Sequence, residues 1–188
     1  MDCGAVRVTR FGLGSVLGLC LAGALVGCGG VQTKSSTTLG AAAAKHSSQS
    51  AACKPNPRDG VYHPDRLEIL NPCARFQGTV VEAPKKFPDG DVSFLVAPDP
   101  GYASMLNAQN RKEGGLHVEI VPRDQPGCTP GQPLHVGDVP VGLCSGRDIA
   151  DPALGAHVRI IGPWVLDRNN DWNEIHPTWK ITAVSANS

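Results

Sequence analysis

The chain has 188 residues with 17 basic and 17 acidic side chains, so its formal net charge is zero. Proteins that bind nucleic acids normally carry a basic excess, because neutralisation of phosphates supplies much of their affinity, and this balance argues against nucleic acid as a partner. Hydrophobic residues make up 41 % of the chain, and this length and composition predict one globular domain of ordinary size.

The first 27 residues have the layout of a secretory signal peptide. Arg7 and Arg10 precede an apolar run from Phe11 to Val26, and a short basic segment followed by such a run is typical of export signals. The run is short and rich in glycine compared with the roughly 20 apolar residues of a membrane-spanning helix. It ends in Leu-Val-Gly-Cys, residues 25–28, which resembles the lipobox of bacterial lipoproteins.

The lipobox resemblance implies cleavage before Cys28 and acylation of that cysteine, which would hold the chain on the extracytoplasmic face of a bacterial cell membrane. Buried acyl chains contribute roughly 0.8 kcal/mol per methylene to such anchoring. The alternative is an ordinary cleaved signal peptide in which Cys28 has no role. Residues 28–52 are small and polar and contain no aromatic residue, a composition that predicts a flexible tether.

Residues 53–188 form the predicted folded domain, and four cysteines remain in it. An even number of cysteines in an exported domain implies two disulfides, with three possible connectivities. We favour Cys53–Cys73 and Cys128–Cys144, because each pair closes a local loop rich in proline and glycine. A zinc site is the competing use of four cysteines, but the chain contains no Cys-x-x-Cys spacing.

Five strands are predicted in the domain, separated by glycine, proline and aspartate. Gly78 suggests a bend or bulge in the first strand, and Asp89-Gly90 predicts the turn before the second. A helix of about two turns is predicted at 101–111, a long disulfide-closed loop at 123–146 and one helical turn at 147–154. The predicted strands are residues 74–84, 92–98, 115–122, 156–167 and 173–185, the last of them bent at Pro177.

This strand count and order resemble the OB-fold. The prediction is an all-β domain with small α content, a five-stranded OB-fold-like barrel with the long disulfide-closed loop between strands 3 and 4. Another small closed barrel or a sandwich is the alternative. Residues 71–184 also resemble an uncharacterised group of exported bacterial proteins, through Asn71-Pro72-Cys73, Asp89-Gly90-Asp91 and the ending from Trp164 to Pro177. That resemblance implies a fold and no activity.

Two strands carry the residues best suited to metal chemistry. His117 and Glu119 lie two apart in strand 3, and Glu174 and His176 lie two apart in strand 5, a spacing that puts both members of each pair on one face. Strands 3 and 5 are parallel neighbours in an OB-fold, so these four side chains would suit zinc or another divalent cation. The alternative is that they face outward and form ordinary cross-strand pairs.

The polar stretch 167–177 also contains oxygen ligands at alternate positions, Asp167, Asn169 and Asp171. Trp172 stands where a calcium loop of this type needs glycine. Asparagine and aspartate also tolerate turn dihedrals, so we favour a turn between strands 4 and 5.

We therefore expect a membrane-anchored lipoprotein with no cofactor and no catalytic activity. Its domain would be a binding module for an envelope or extracellular partner, namely a protein, a glycan or a small ligand. The alternative function is a metal-dependent hydrolase or nuclease that uses His117, Glu119, Glu174 and His176.

Overall fold

A computed structural model describes residues 52–185. The predicted signal peptide, Cys28 and the tether as far as residue 51 lie outside these residues. Within residues 52–185, every helix is too short or too polar to cross a membrane.

The described residues fold mainly into β-strands. The single α-helix among them, α1, is Ala108–Glu113, and 3-10 turns occur at Pro64–Arg66, Pro100–Met105 and Pro122–Asp124. The strands are β1 (Leu67–Val80), β2 (Lys85–Lys86), β3 (Val92–Pro98), β4 (Leu116–Ile120), β5 (Pro133–Val136), β6 (Val139–Leu143), β7 (His157–Asp167), β8 (Trp172–Ile175) and β9 (Lys180–Ala183).

Seven of these strands form one mixed sheet. β1 pairs with β3, β3 with β4, β8 with β7 and β7 with β1, all antiparallel, whereas β4 and β8 are parallel. The short strand β2 adds to β3, and β9 adds to β7. The parallel pairing of β4 with β8 is the adjacency that the sequence predicted for the strands carrying the two His/Glu pairs. Following the pairings from β1 through β3, β4, β8 and β7 leads back to β1.

Alternate residues of these strands form the main hydrophobic core. Leu116, Val118 and Ile120 of β4 are fully buried in it, together with Ile175 of β8. Their largest partners from neighbouring strands are Phe76, Phe94 and Ile160. Because side chains alternate along a strand, His117, Glu119, Glu174 and His176 lie on the opposite face, which we call the outer face.

The segment that precedes β1 covers part of the outer face. Val61 packs with Leu67, Val121 and Val165 in a second, smaller hydrophobic cluster. Arg66 extends the cover, since its Nε donates to Asp167 Oδ2 at 3.0 Å. The disulfide Cys53–Cys73 joins this covering segment to β1. The covered part of the outer face is therefore buried and not exposed to solvent.

Both predicted disulfides are present, Cys53–Cys73 and Cys128–Cys144. The second one closes the segment between β4 and β7, which was predicted to be a loop. This segment instead contains the two-stranded hairpin of β5 and β6. Gly137 and Asp138 connect its strands, and Gly137 has a φ of 56°, so the hairpin has a recognisable two-residue turn sequence.

Four other local predictions differ from the structure. The predicted helix 101–111 is divided at Asn107, because the Asn107 side chain accepts a hydrogen bond from the Asn110 N–H and starts α1. Residues 147–154 contain no helical turn, and strand 173–185 is interrupted after Ile175.

The register shifts of β1 lie between Ile69 and Ala74 and not at Gly78. Gly78 is a close approach, where a Cβ would lie 2.3 Å from the carbonyl oxygen of Ala97.

Candidate functional site

A histidine surrounded by three carboxylates lies on the outer face, at the end of β8. His176 Nδ1 is 2.9 Å from Glu119 Oε2 and 3.0 Å from Glu174 Oε1, and His176 Nε2 is 3.1 Å from Asp91 Oδ2. We call these four residues the His176 cluster. Three strands position it: Asp91 directly precedes β3, Glu119 belongs to β4, and Glu174 and His176 lie two apart at the end of β8.

The strand pairing explains why these side chains meet. His117 lies opposite Glu174 in the parallel β4–β8 pair. The pairing continues past β8, where the Thr178 N–H donates to the Glu119 carbonyl at 2.8 Å. Ser93 of β3 lies opposite Glu119, so Asp91, two residues earlier, projects from the same face.

The His176 cluster is almost completely withdrawn from solvent. His176 is 0 % exposed, Glu174 1 % and Asp91 2 %, whereas Glu119 is only partly buried. Ionised groups are rarely buried this deeply unless they are paired or bind a metal. The alternative prediction, in which the polar residues of these strands face water, is therefore wrong for Glu174 and His176.

Burial and neighbouring charges both shift the pKa values of the cluster, and for His176 and Glu119 these two effects act in opposite directions. Burial alone would lower the pKa of His176, but the charge of Glu119 and contacts with the three carboxylates raise it well above its ordinary value. Burial would raise the pKa of Glu119, but the charge of His176 outweighs burial and lowers it. Burial and the charge of Glu119 raise the pKa of Glu174, and burial raises that of Asp91. The charged pair at the centre is therefore His176 with Glu119.

Hydrogen bonding is incomplete on one side of the His176 ring. Glu174 Oε1 contacts Nδ1 as a hydrogen-bond partner, and Glu174 Oε2 accepts from Trp172 Nε1 at 3.0 Å. On the other side, Nε2 and both carboxylate oxygens of Asp91 are buried without a hydrogen-bond partner. Asp91 Oδ2 is close enough to Nε2 for an ion pair but is not aligned for a hydrogen bond.

The four residues predicted as metal ligands are not all in one place. The structure brings Glu119, Glu174 and His176 together, and Asp91 takes the remaining position beside the imidazole. His117 lies on the same face but turns away from the cluster. Its Nε2 is 3.1 Å from Glu113 Oε2, and its ring stacks on that of Trp172 with centroids 3.8 Å apart.

A cleft of about 270 Å³ opens beside the His176 cluster. We call this cleft the outer cleft. Its walls are β3, β4, the loop 81–91 and the turn 168–171 with the residues on either side of the turn. Glu119 is common to the cleft and the cluster. The residues that line it are Arg66, Glu82, Lys85, Phe87, Asp89, Ser93, Phe94, Leu95, His117, Glu119, Asp167, Asn170 and Trp172.

Hydrogen bonds fix both loops at the mouth of the outer cleft. Gln125 Nε2 donates to the carbonyls of Gly90 and Ile120 at 2.7 and 2.8 Å, which attaches loop 81–91 to the end of β4. In the other loop, Asp167 accepts from the Asn169 N–H at 2.8 Å and from Asn170 Nδ2 at 3.0 Å. The acids and amides of residues 167–171 thus form the turn that the sequence predicted. The carboxylate of Asp167 accepts hydrogen bonds both from this turn and from Arg66.

A larger groove of about 750 Å³ is less informative. It runs beside Ile149, Val158 and Trp179. Its two acidic residues, Asp148 and Asp151, are exposed, so it contains no buried ionisable carboxylate. The outer cleft is therefore the better candidate for a functional site.

Sequence reasoning missed Asp91, Arg66 and the outer cleft. Asp91 was read only as part of a turn, although its spacing of two from Ser93 places it on the outer face. Arg66 precedes the first predicted strand and carries no local signal.

Comparison of the chain with family models, with curated proteins and with solved structures found no match.

Proposed function

We propose that the chain is a bacterial lipoprotein whose extracytoplasmic domain is a non-catalytic, OB-fold-like binding module. Its ligand is a small polar molecule that binds in the outer cleft. The observation that carries the proposal is the position of this cleft on the strands and loops of the domain.

The order of strand pairing supports the OB-like assignment. The succession β1, β3, β4, β8, β7 and again β1, with only β4 and β8 parallel, is the order expected for strands 1, 2, 3, 5 and 4 of that barrel. OB-folds bind ligands on strands 2 and 3 and on the loops 1–2 and 4–5. The corresponding elements here are β3, β4, loop 81–91 and turn 168–171, and these form the outer cleft.

The charges and size of the outer cleft indicate the ligand class. Four carboxylates line it, those of Glu82, Asp89, Glu119 and Asp167, against two cations, Arg66 and Lys85. This excess of acid disfavours phosphate-containing ligands. The volume lies near the lower end of the roughly 300–1,000 Å³ usual for small-molecule sites. Carboxylates beside aromatic rings suit a neutral, hydroxyl-rich molecule such as one sugar unit of a glycan.

The hydrolase that the sequence offered as an alternative is not proposed further. It required His117 together with Glu119, Glu174 and His176, and His117 is paired elsewhere. A catalytic metal site also keeps a coordination position open to substrate. Asp91, Glu174 and His176 are at most 2 % exposed, which favours a closed site.

Phe87 provides the test of ligand binding, because it lines the outer cleft and half of its surface is exposed. We expect a panel of mono- and disaccharides, screened by saturation-transfer NMR against the full chain, to contain a ligand whose signal is lost in Phe87→Ala. Leu154→Ala is the matched control, since Leu154 is also exposed and does not line the cleft. Equal signals from both variants, or none from the parent protein, would contradict the proposal.

Membrane attachment is tested separately. We expect Cys28→Ala to move the protein from the membrane to the soluble fraction of the expressing bacterium, because the acylated residue is removed. Cys20→Ala keeps the lipobox and should remain in the membrane fraction. The two disulfides agree with export to an oxidising compartment, and membrane retention of Cys28→Ala would refute lipid anchoring.

A further inference from the structure

The His176 cluster carries an inference that does not depend on the outer cleft binding a ligand. Asp91, Glu119 and His176 each offer one donor atom, and these atoms all lie within 4.8 Å of one another. They come from three different elements: the end of loop 81–91, β4 and the segment after β8. We propose that these three residues form a closed binding site for a divalent cation of the zinc or manganese type.

The unmet hydrogen bonds of the cluster point to a ligand. Both oxygens of Asp91 and the Nε2 atom of His176 are buried and lack a hydrogen-bond partner. Most buried polar side-chain atoms in proteins are satisfied, and each exception requires an explanation. Asp91 is also an acid, and burial of an uncompensated carboxylate is costly. A cation between Asp91 and Nε2 would satisfy all three atoms at once.

The remaining contacts of His176 orient it as a metal ligand. Metal-bound histidines almost always donate their second ring N–H to a carboxylate, a carbonyl or water. Here Nδ1 contacts Glu174 Oε1 at 3.0 Å, and Glu174 is itself held by the indole N–H of Trp172. Glu174 is therefore a positioning residue, and Nε2 is the nitrogen directed at the cation. Glu119 Oε2 lies 2.9 Å from Nδ1, so Glu119 would turn its carboxylate towards Nε2 to become the third ligand.

The donor set indicates the class of cation. One imidazole with two carboxylates is a ligand combination for zinc, and a mixed nitrogen and oxygen set also suits manganese. Calcium takes six to eight oxygen ligands, and magnesium favours a few carboxylates and several waters. Neither preference includes a buried imidazole.

Burial assigns the cation a structural role. Structural metal sites are closed, whereas catalytic ones keep an open position, and His176 and Asp91 are 0 % and 2 % exposed. The cation would connect loop 81–91 to β4 and to the end of β8. It would thereby fix one wall of the outer cleft without contacting a substrate.

The test uses the full chain, stripped with EDTA and dialysed. Zn²⁺, Mn²⁺, Mg²⁺ or Ca²⁺ is then added separately, with melting temperature and bound metal per chain as readouts. We expect one equivalent of Zn²⁺ or Mn²⁺ to remain after gel filtration. The melting temperature should rise by about 10 °C at a hundredfold excess over Kd, and Mg²⁺ and Ca²⁺ should have little effect.

Variants distinguish this site from adventitious binding. Asp91→Asn and Glu119→Gln remove one ligand charge each with little change in shape, and both should lose the bound metal and the thermal shift. Asp124→Asn is the matched control, because Asp124 is equally buried and pairs with Lys54 away from the cluster. That variant should melt at a lower temperature but keep the shift.

Two results would overturn the proposal. One is a stripped parent protein that neither retains Zn²⁺ or Mn²⁺ nor gains thermal stability from them. The other is a metal-induced shift of the same size in Asp91→Asn, Glu119→Gln and the parent. Neither result bears on sugar binding in the outer cleft, so failure of the metal site and failure of the proposed function are distinguishable.

Discussion

The two faces of β4 are both shielded from solvent, but by different chemistry. One face consists of Leu116, Val118 and Ile120, each fully buried among apolar side chains. The other carries His117 and Glu119, which line the outer cleft and form ion pairs with Glu113 and His176. A single five-residue strand thus separates an apolar interior from a polar one.

The apolar face of β4 is required for folding, whereas the polar face adds little to the stability of the fold. Apolar burial stabilises a domain by roughly 25 cal/mol per Å² and tolerates exchange among residues of similar volume. A buried charge cluster contributes little net stability, and its replacement by apolar residues is often neutral or stabilising. The polar face of β4 and β8 is therefore better explained by binding than by folding.

The largest effect is expected on the apolar face. Phe94 of β3 is 2 % exposed and lies in the main core, so Phe94→Ala should lower the free energy of unfolding by roughly 3–5 kcal/mol. Urea denaturation followed by circular dichroism measures this loss. A loss below 1 kcal/mol would show that this face does not form the principal core.

A smaller effect is expected when the central charged pair of the polar face is broken. In metal-free protein, His176→Gln leaves Glu119 without its cation and should cost roughly 3 kcal/mol, the lower end of the range for buried pairs. Glu119 lines the outer cleft and can regain some hydration, which limits the loss.

A double-mutant cycle isolates this interaction from other effects of the substitutions. Glu119→Gln combined with His176→Gln should cost clearly less than the sum of the single losses, because neither charge is then left alone. Additive losses would show that the two residues do not interact as the distance between them indicates.

The apolar face could be predicted from the sequence, and the polar interior could not. Alternation in 115–122 identified Leu116, Val118 and Ile120, and local spacing identified both disulfides. The same alternation placed His117 and Glu119 correctly on the other face. What covers that face depends on residues 52–66, which show no strand or helix pattern and reach it through tertiary contacts.

The composition of the His176 cluster illustrates the same limit. Glu174 and His176 were identified because their spacing of two is visible in one strand. Asp91 reaches them through the register of β3 against β4. This register pairs residues that are distant in the chain. His117 was included on its spacing alone, although Glu113, four residues earlier at the end of α1, is its closest ionic partner.

The smallest expected effect is a pH dependence confined to the polar face. In EDTA-treated protein the pKa of His176 is raised in the folded state above its ordinary value of 6.5. The stabilisation from its protonation is complete below the unfolded value and is lost as the pH rises through the folded pKa. Above about pH 6.5 the unfolded chain binds fewer protons than the folded one, so the free energy of unfolding should fall by at most about 1.4 kcal/mol per pH unit.

His176→Gln and Phe94→Ala separate this titration from general destabilisation. In urea melts at pH 6, 7 and 8 with EDTA, His176→Gln should lose the downward slope, because the titrating group is gone. Phe94→Ala should retain the slope at a lower overall stability, since the apolar face carries no titrating group. A parent protein whose stability rises over this range would show that His176 is not held as an imidazolium, and the electrostatic contrast between the two faces of β4 would then be incorrect.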